Sequence, residues 1–193
     1  MRFLALVTSV CVLSVAGSLA RADVLSFTPN PPDLYDLDHG KYYTWGISAT
    51  WLPDQVVVSA SLSFKQIRDW TTEQNVLYLH LLDQAPLGVR TYTDNEGGGD
   101  NFAGQGVLLT TLCNLPATPQ NLTYHFTAGQ VAALNTYAAD GRFALGLDPD
   151  CHFYNDGVTL SLATDSSQVP EPGTMVLVLA GAGLAIARRR RGA

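Results

Sequence analysis

The chain has 193 residues, 47% of them hydrophobic, with 17 acidic residues against 11 Lys and Arg and a net charge of −6. Six of the cations, Arg2, Arg21 and Arg188 to Arg191, stand at the two ends, leaving Lys41, Lys65, Arg68, Arg90 and Arg142 for everything between. That balance excludes nucleic acid as a partner, because holding phosphates takes clustered Lys and Arg.

Met1-Arg2 opens the chain with positive charge, and Phe3 to Leu19 is apolar. Ala20-Arg21-Ala22 then forms the A-x-A pattern of a cleavage site. Residues 1–22 therefore read as a signal peptide, with the mature protein starting at Asp23 and exported. An uncleaved N-terminal anchor is the alternative. About 145 residues remain to fold, which is one domain's worth. This part is strongly acidic, which suits calcium or solubility in an extracellular matrix.

From residue 23 to 163 the periodicity is that of an all-β domain. In Gln55 to Phe64, the residues Val56, Val58, Ala60, Leu62 and Phe64 share one face, and Gln55, Ser59, Ser61 and Ser63 lie opposite. Val57 is the apolar exception on that second face. Tyr42–Thr50, Val76–Leu82, Val107–Leu112, Leu122–Phe126, Arg142–Leu147 and Val158–Ala163 are further strand candidates, separated by Gly, Pro, Asn and Asp. One helix interrupts them. Thr127 and Gln130 form a capping box before VAALNTYAA, and Asp140-Gly141 stops it. Short antiparallel strands with one helix predict a two-sheet sandwich of jelly-roll type. Residues 164–168, TDSSQ, read as a linker.

Polar loop segments hold the candidate chemistry: residues 33–40, 69–75, 94–101 and 148–157. Their Asp and Gly content suits calcium, which takes six to eight oxygens from flexible loops. The favoured ligands are Asp148, Asp150 and Asp156, because Pro149 stiffens their segment. The competing reading is that short Asp and Asn side chains cap turns. None of the loops has the EF-hand spacing. Gly97 to Gly99 lacks the Lys-Ser/Thr ending of a phosphate cradle, and the four histidines lack zinc-site spacing. His80 fits a hydrogen-bonded sheet position. No G-x-S-x-G elbow or Cys-His-Asn context points to an enzyme, so no catalytic residue is assigned. Among the aromatics, Trp45 alternates with Ile47 and belongs to the core, whereas Trp51 and Trp70 near turns are candidates for exposure and sugar stacking.

Cys11 leaves with the signal peptide, so Cys113 and Cys151 remain. In an oxidising compartment such a pair usually joins, although two buried free thiols are the alternative.

The C-terminal 25 residues carry the most specific signal. Val169-Pro170-Glu171-Pro172 is stiff and extended, residues 174–187 are uncharged and apolar, and Arg188, Arg189, Arg190 and Arg191 follow as a stop-transfer block. The apolar run is shorter than the roughly 17 residues usually needed to span a bilayer. A temporary stop suits it better than a permanent tail anchor, which is the competing reading. This ordered combination, covering residues 169–193, resembles the PEP-CTERM sorting signal of Gram-negative bacteria that make exopolysaccharide. The resemblance implies exosortase as a partner, transient anchoring in the inner membrane, and delivery to the surface or exterior. A weaker likeness links Asp148-Pro149-Asp150-Cys151-His152 to β-sandwich domains of other exported PEP-CTERM proteins. The expected function is a non-catalytic surface or matrix protein; the alternative is a calcium-dependent module that binds exopolysaccharide. A Trp-lined concavity beside the acidic loops would favour the module.

Overall fold

Alternating apolar residues bring ten strands together in the computed structural model, which describes residues 22–48, 55–70, 75–95 and 98–166. The expected signal peptide, Trp51, the sorting residues Val169 to Pro172, the helix at 174–187 and Arg188 to Arg191 lie outside the described residues. No helix among the described residues is long and apolar enough to cross a membrane.

The strands are β1 Ala22–Phe27, β2 Lys41–Ser48, β3 Gln55–Asp69, β4 Val76–Leu82, β5 Gly88–Thr93, β6 Val107–Cys113, β7 Gln120–His125, β8 Arg142–Pro149, β9 Phe153–Tyr154 and β10 Gly157–Ser166. One antiparallel sheet has the order β1-β10-β3-β7, with β9 also pairing with β3. The other has the order β5-β2-β8-β4-β6. Setting aside β5 and β9, successive strands change sheet at every step except β4 to β6, which pair within one sheet, an order close to that of a jelly roll. The core between them is built from Trp45, Leu62, Phe64, Leu79, Phe143, Leu145, Leu147, Leu160 and Leu162.

Helix α1, Ala128–Tyr137, starts at the expected capping box and ends through a 3-10 turn at Gly141, whose φ of 80° suits glycine. It is riveted to β3 by Asn135, which donates to Val57 O and accepts from Val57 N, both at 2.9 Å.

Two β-bulges in β3 explain where simple alternation fails. Ala163 pairs with Ser59 but Thr164 pairs with Val57, so Val58 is an extra residue. Beyond it the faces exchange: Val57 is buried, and Val56 and Val58 are exposed. The second bulge lies between Phe64 and Ile67, where Gln66 adopts a φ of 52°. It turns Ile67 into the core and leaves Lys65 and Arg68 on the surface side.

Strand β5 was not foreseen, and neither were β1 and β9. After β4 the chain crosses the outer face of its sheet to pair as β5 with β2, then returns to β6 on the opposite edge. Both crossings lie close to the sheet. A Cβ on Gly46 would stand 2.2 Å from Pro86 O, and one on Gly146 would stand 2.8 Å from the Phe102 ring. The expected linker also needs correction. Thr164, Asp165 and Ser166 continue β10, with Thr164 fully buried and its hydroxyl donating to Asp23 O.

Candidate functional site

Residues 148–157 are the hub that joins the polar loop segments. Asp148, at the end of β8, faces the returning 94–101 segment. Its Oδ2 accepts from Asn101 N at 2.6 Å, and the Asn101 side-chain amide also reaches Asp94 at 2.8 Å. Burial pushes the Asp148 carboxyl up to about 6, against the Asn101 hydrogen bonds and with help from Asp94 and Asp150. Asp150 is also raised, first by burial and then by Asp94 and Asp100. Asp100 in turn holds His80 Nε2 at 2.9 Å, while His80 Nδ1 lies 3.2 Å from Gln105 O. His80 is thus the hydrogen-bonded sheet residue its position suggested.

Cys151 points into the core and donates to Asp69 Oδ1 at 3.4 Å. Asn75 bonds the other Asp69 oxygen and both the N–H and C=O of Leu115. Cys113 instead lies exposed on β6, and no disulfide joins the two. The expected bridge is therefore not formed. Asp150 N bonds Val76 O on one side of β4, and Cys113 pairs with Val76 on the other. Two strand spacings, about 10 Å, separate those neighbouring strands, beyond the roughly 7 Å a disulfide tolerates. Alkylation of the native protein should therefore label Cys113 alone, with Cys151 reacting only after unfolding. A mapped Cys113–Cys151 peptide would reject this arrangement.

His152 and Tyr154 face the other way and organise an aromatic cluster. His152 Nε2 lies 3.0 Å from Asp38 Oδ1, and its ring meets His39 at 4.4 Å and Trp70 at 4.7 Å. Trp70 also packs on Tyr154 at 4.7 Å, and Arg68 lies over the Tyr154 ring at 4.9 Å. Trp70 is nevertheless 48% exposed, while Trp45 is core as expected and Tyr43 is buried with it.

Beside this cluster is a recess of about 570 Å³ lined by Asp33, Asp36, Lys65, Arg68, Tyr154 and Asp156, with Pro32 and Asn155. Its wall is a backbone under strain. Leu34, Tyr35 and Asp36 have φ of 55°, 61° and 56°, a left-handed run costing roughly 1–2 kcal/mol per residue. Burial of Leu34 and Leu37 offsets that cost, and so does Asn155. Asn155 N donates to Asp36 Oδ1 at 3.2 Å, and its amide donates to Asp33 O at 2.8 Å. Such strain concentrates where surrounding structure over-determines a functional surface. Lys65 and Arg68 were missed from the sequence, and Tyr154 lay in the 148–157 segment with no role assigned; the only signal for the two cations was the basic content around a bulge that cannot be placed without its partner strand.

The favoured calcium ligands divide between these places. Asp148 and Asp150 stand at the 94–101 crossing, while Asp156 lines the recess. Among the described residues no group of three or more His, Cys, Asp or Glu is gathered to hold a metal ion. Millimolar calcium and magnesium should therefore raise the melting temperature by equal, small amounts through screening. A calcium-selective rise would show a site this geometry lacks.

Residues 168–191 match the PEP-CTERM protein-sorting motif. No curated protein matches the chain. Among solved structures, one similar chain comprises the CBM22-1 and GH10 modules of Clostridium thermocellum endo-1,4-β-D-xylanase 10B, crystallised with xylohexaose. Identity is 12%, 72% of this chain and 19% of that chain are covered, and the TM-score is 0.26. The chain spans about a fifth of that protein, and so slight a likeness carries no argument about ligand or activity.

Proposed function

We propose that this chain, which carries a PEP-CTERM sorting motif at residues 168–191, is a non-catalytic surface or matrix protein released by exosortase. The motif is the observation that carries this reading. It indicates export, transient C-terminal anchoring and exosortase as the processing partner. The β-paired region from Ala22 to Ser166 fits the interval between the two expected targeting segments. Cleavage before Asp23 would take only Ala22 from β1, which runs on to Phe27. Intact-mass measurement of the exported protein tests both ends at once. A product retaining residues 1–22, or the whole apolar segment to Ala193, would refute the processing scheme.

A second reading is that the exported domain binds carbohydrate. It is favoured by a half-exposed Trp70 standing on Tyr154 beside a polar recess. The aromatic face offers an apolar platform, and the recess offers polar groups to orient hydroxyls. Calcium has no part in this version, because the recess carries its own cations in Lys65 and Arg68.

A further inference from the structure

We propose that the recess between β9 and the 33–37 turn binds a neutral, hydroxyl-rich pyranose chain, with Trp70 as its stacking face. This rests on the carbohydrate reading above and adds the site, the ligand class and the place of the site on the domain.

The volume of about 570 Å³ falls within the roughly 300–1,000 Å³ of small-ligand sites. Its lining combines acceptors with donors. Asp33 Oδ1 is committed to Tyr35 N and Asp36 Oδ1 to Asn155 N. The second oxygen of each carboxylate, with Asp156, can accept from sugar hydroxyls. Lys65 and Arg68 supply N–H donors to sugar oxygens. A hydroxyl donates and accepts together, so a mixed rim of this kind suits a polyol.

Charge selects the class further. Three aspartates outnumber two cations in the recess. Away from the two targeting ends, the chain sets five cations against 16 acids. A uronate or phosphate polymer would approach against that field, whereas a neutral glycan is indifferent to it. The stacking face is fixed in advance. Trp70 is held by Tyr154 at 37° and by the edge of His152 at 83°, so little side-chain freedom is lost on binding.

The register gives the site its place. Gly157, beside the recess, pairs with Lys65, whereas Ser166 pairs with Gln55 at the other end of the same strands. The recess is thus about 30 Å, one strand length, from Ser166, where the chain leaves the domain toward the sorting motif.

The exported protein is titrated with soluble β-glucan, xylan and galactomannan as neutral probes and alginate as an anionic one. Tryptophan fluorescence and calorimetry report binding. The expected result is saturable binding of at least one neutral polymer, insensitive to added salt, and weakened about tenfold or more in Trp70→Ala, as for an aromatic hot spot. Lys65→Ala and Asp156→Ala, both at exposed positions, should weaken it too, with melting temperatures unchanged. Neutral-polymer binding left intact by all three variants would overturn the recess as the site while leaving the carbohydrate reading standing. A salt-sensitive preference for alginate would overturn the neutral class. Binding to none of the four polymers would overturn the proposal and the carbohydrate reading together.

Discussion

Replacing Glu171 or Pro172 is expected to leave export through the N-terminal signal intact and to hold the protein at the inner membrane, unprocessed. Proline at 170 and 172 favours an extended backbone around Glu171 on sequence grounds, the form in which a protease can take a substrate segment. Glu171 is the only charge between Asp165 and Arg188, so it is the one fixed electrostatic mark ahead of the apolar run. Losing it should remove recognition without touching the domain, whose pairing ends at Ser166. Removing Arg188 to Arg191 should act differently. If the arginines set orientation and stop transfer, as such a block does, their loss should scatter protein between membrane and exterior rather than trap it. Fractionation with intact-mass measurement separates the two phenotypes. Glu171 variants that reach the exterior with the parental mass would rule exosortase out as the processing partner.

The strand pattern and the sorting segment were legible for different reasons. Strands β2, β4, β6, β7, β8 and β10 each bury one face, or both, against the core, so local periodicity reports them. The capping box at Thr127 and Gln130 is wholly local and reads directly. β5 buries little and exists because its partner β2 is there to pair with; Gly88, Arg90, Thr91 and Thr93 are all exposed. Nothing local announces that pairing, or the crossing of Phe102 over Gly146 that follows from it. The expected Cys113–Cys151 bridge failed for a related reason: cysteine counting knows the compartment but not the strand order, which puts β4 between them. The acidic segments were read as loops, but Asp148 and Pro149 close β8 and residues 153–154 form β9, so the three aspartates favoured for the stiffness of Pro149 were separated when β8 ended and the chain turned toward β9. Trp70 was legible as a turn residue, whereas its platform needed Tyr154, brought alongside by the β3–β9 pairing.

Asp148→Asn is expected to make the pH dependence of stability flatter and to cross the parental curve. Asp148 is 0% exposed, and burial raises its carboxyl from 3.8 to about 6. In the unfolded chain it ionises near the ordinary value. Between pH 3.8 and about 6 the folded protein therefore keeps a proton that the unfolded chain has lost. Stability must fall as pH rises through that window and stay lower above it. The full loss is on the order of 3 kcal/mol, since each tenfold change in proton affinity is worth about 1.4 kcal/mol. For a domain of this size that corresponds to a fall in melting temperature on the order of 10 °C. The asparagine variant carries no charge to bury. Its carbonyl can accept from Asn101 N, but its amide meets the Asn101 amide donor to donor, a cost of about 1–3 kcal/mol at every pH. Below about pH 4 the variant should accordingly melt lower than the parent, and at neutral pH the gap should close or reverse. Acids remote from Asp148 contribute to both curves equally, so the difference between the two reports Asp148 together with its effect on Asp94 and Asp150. Parallel curves across the acid-to-neutral range would mean that the Asn101 hydrogen bonds cancel the effect of burial and let Asp148 ionise in the fold as it does in the unfolded chain. The crossing segment would then be clasped by a carboxylate already charged in mild acid rather than by a carboxyl that releases its proton at a pH of about 6.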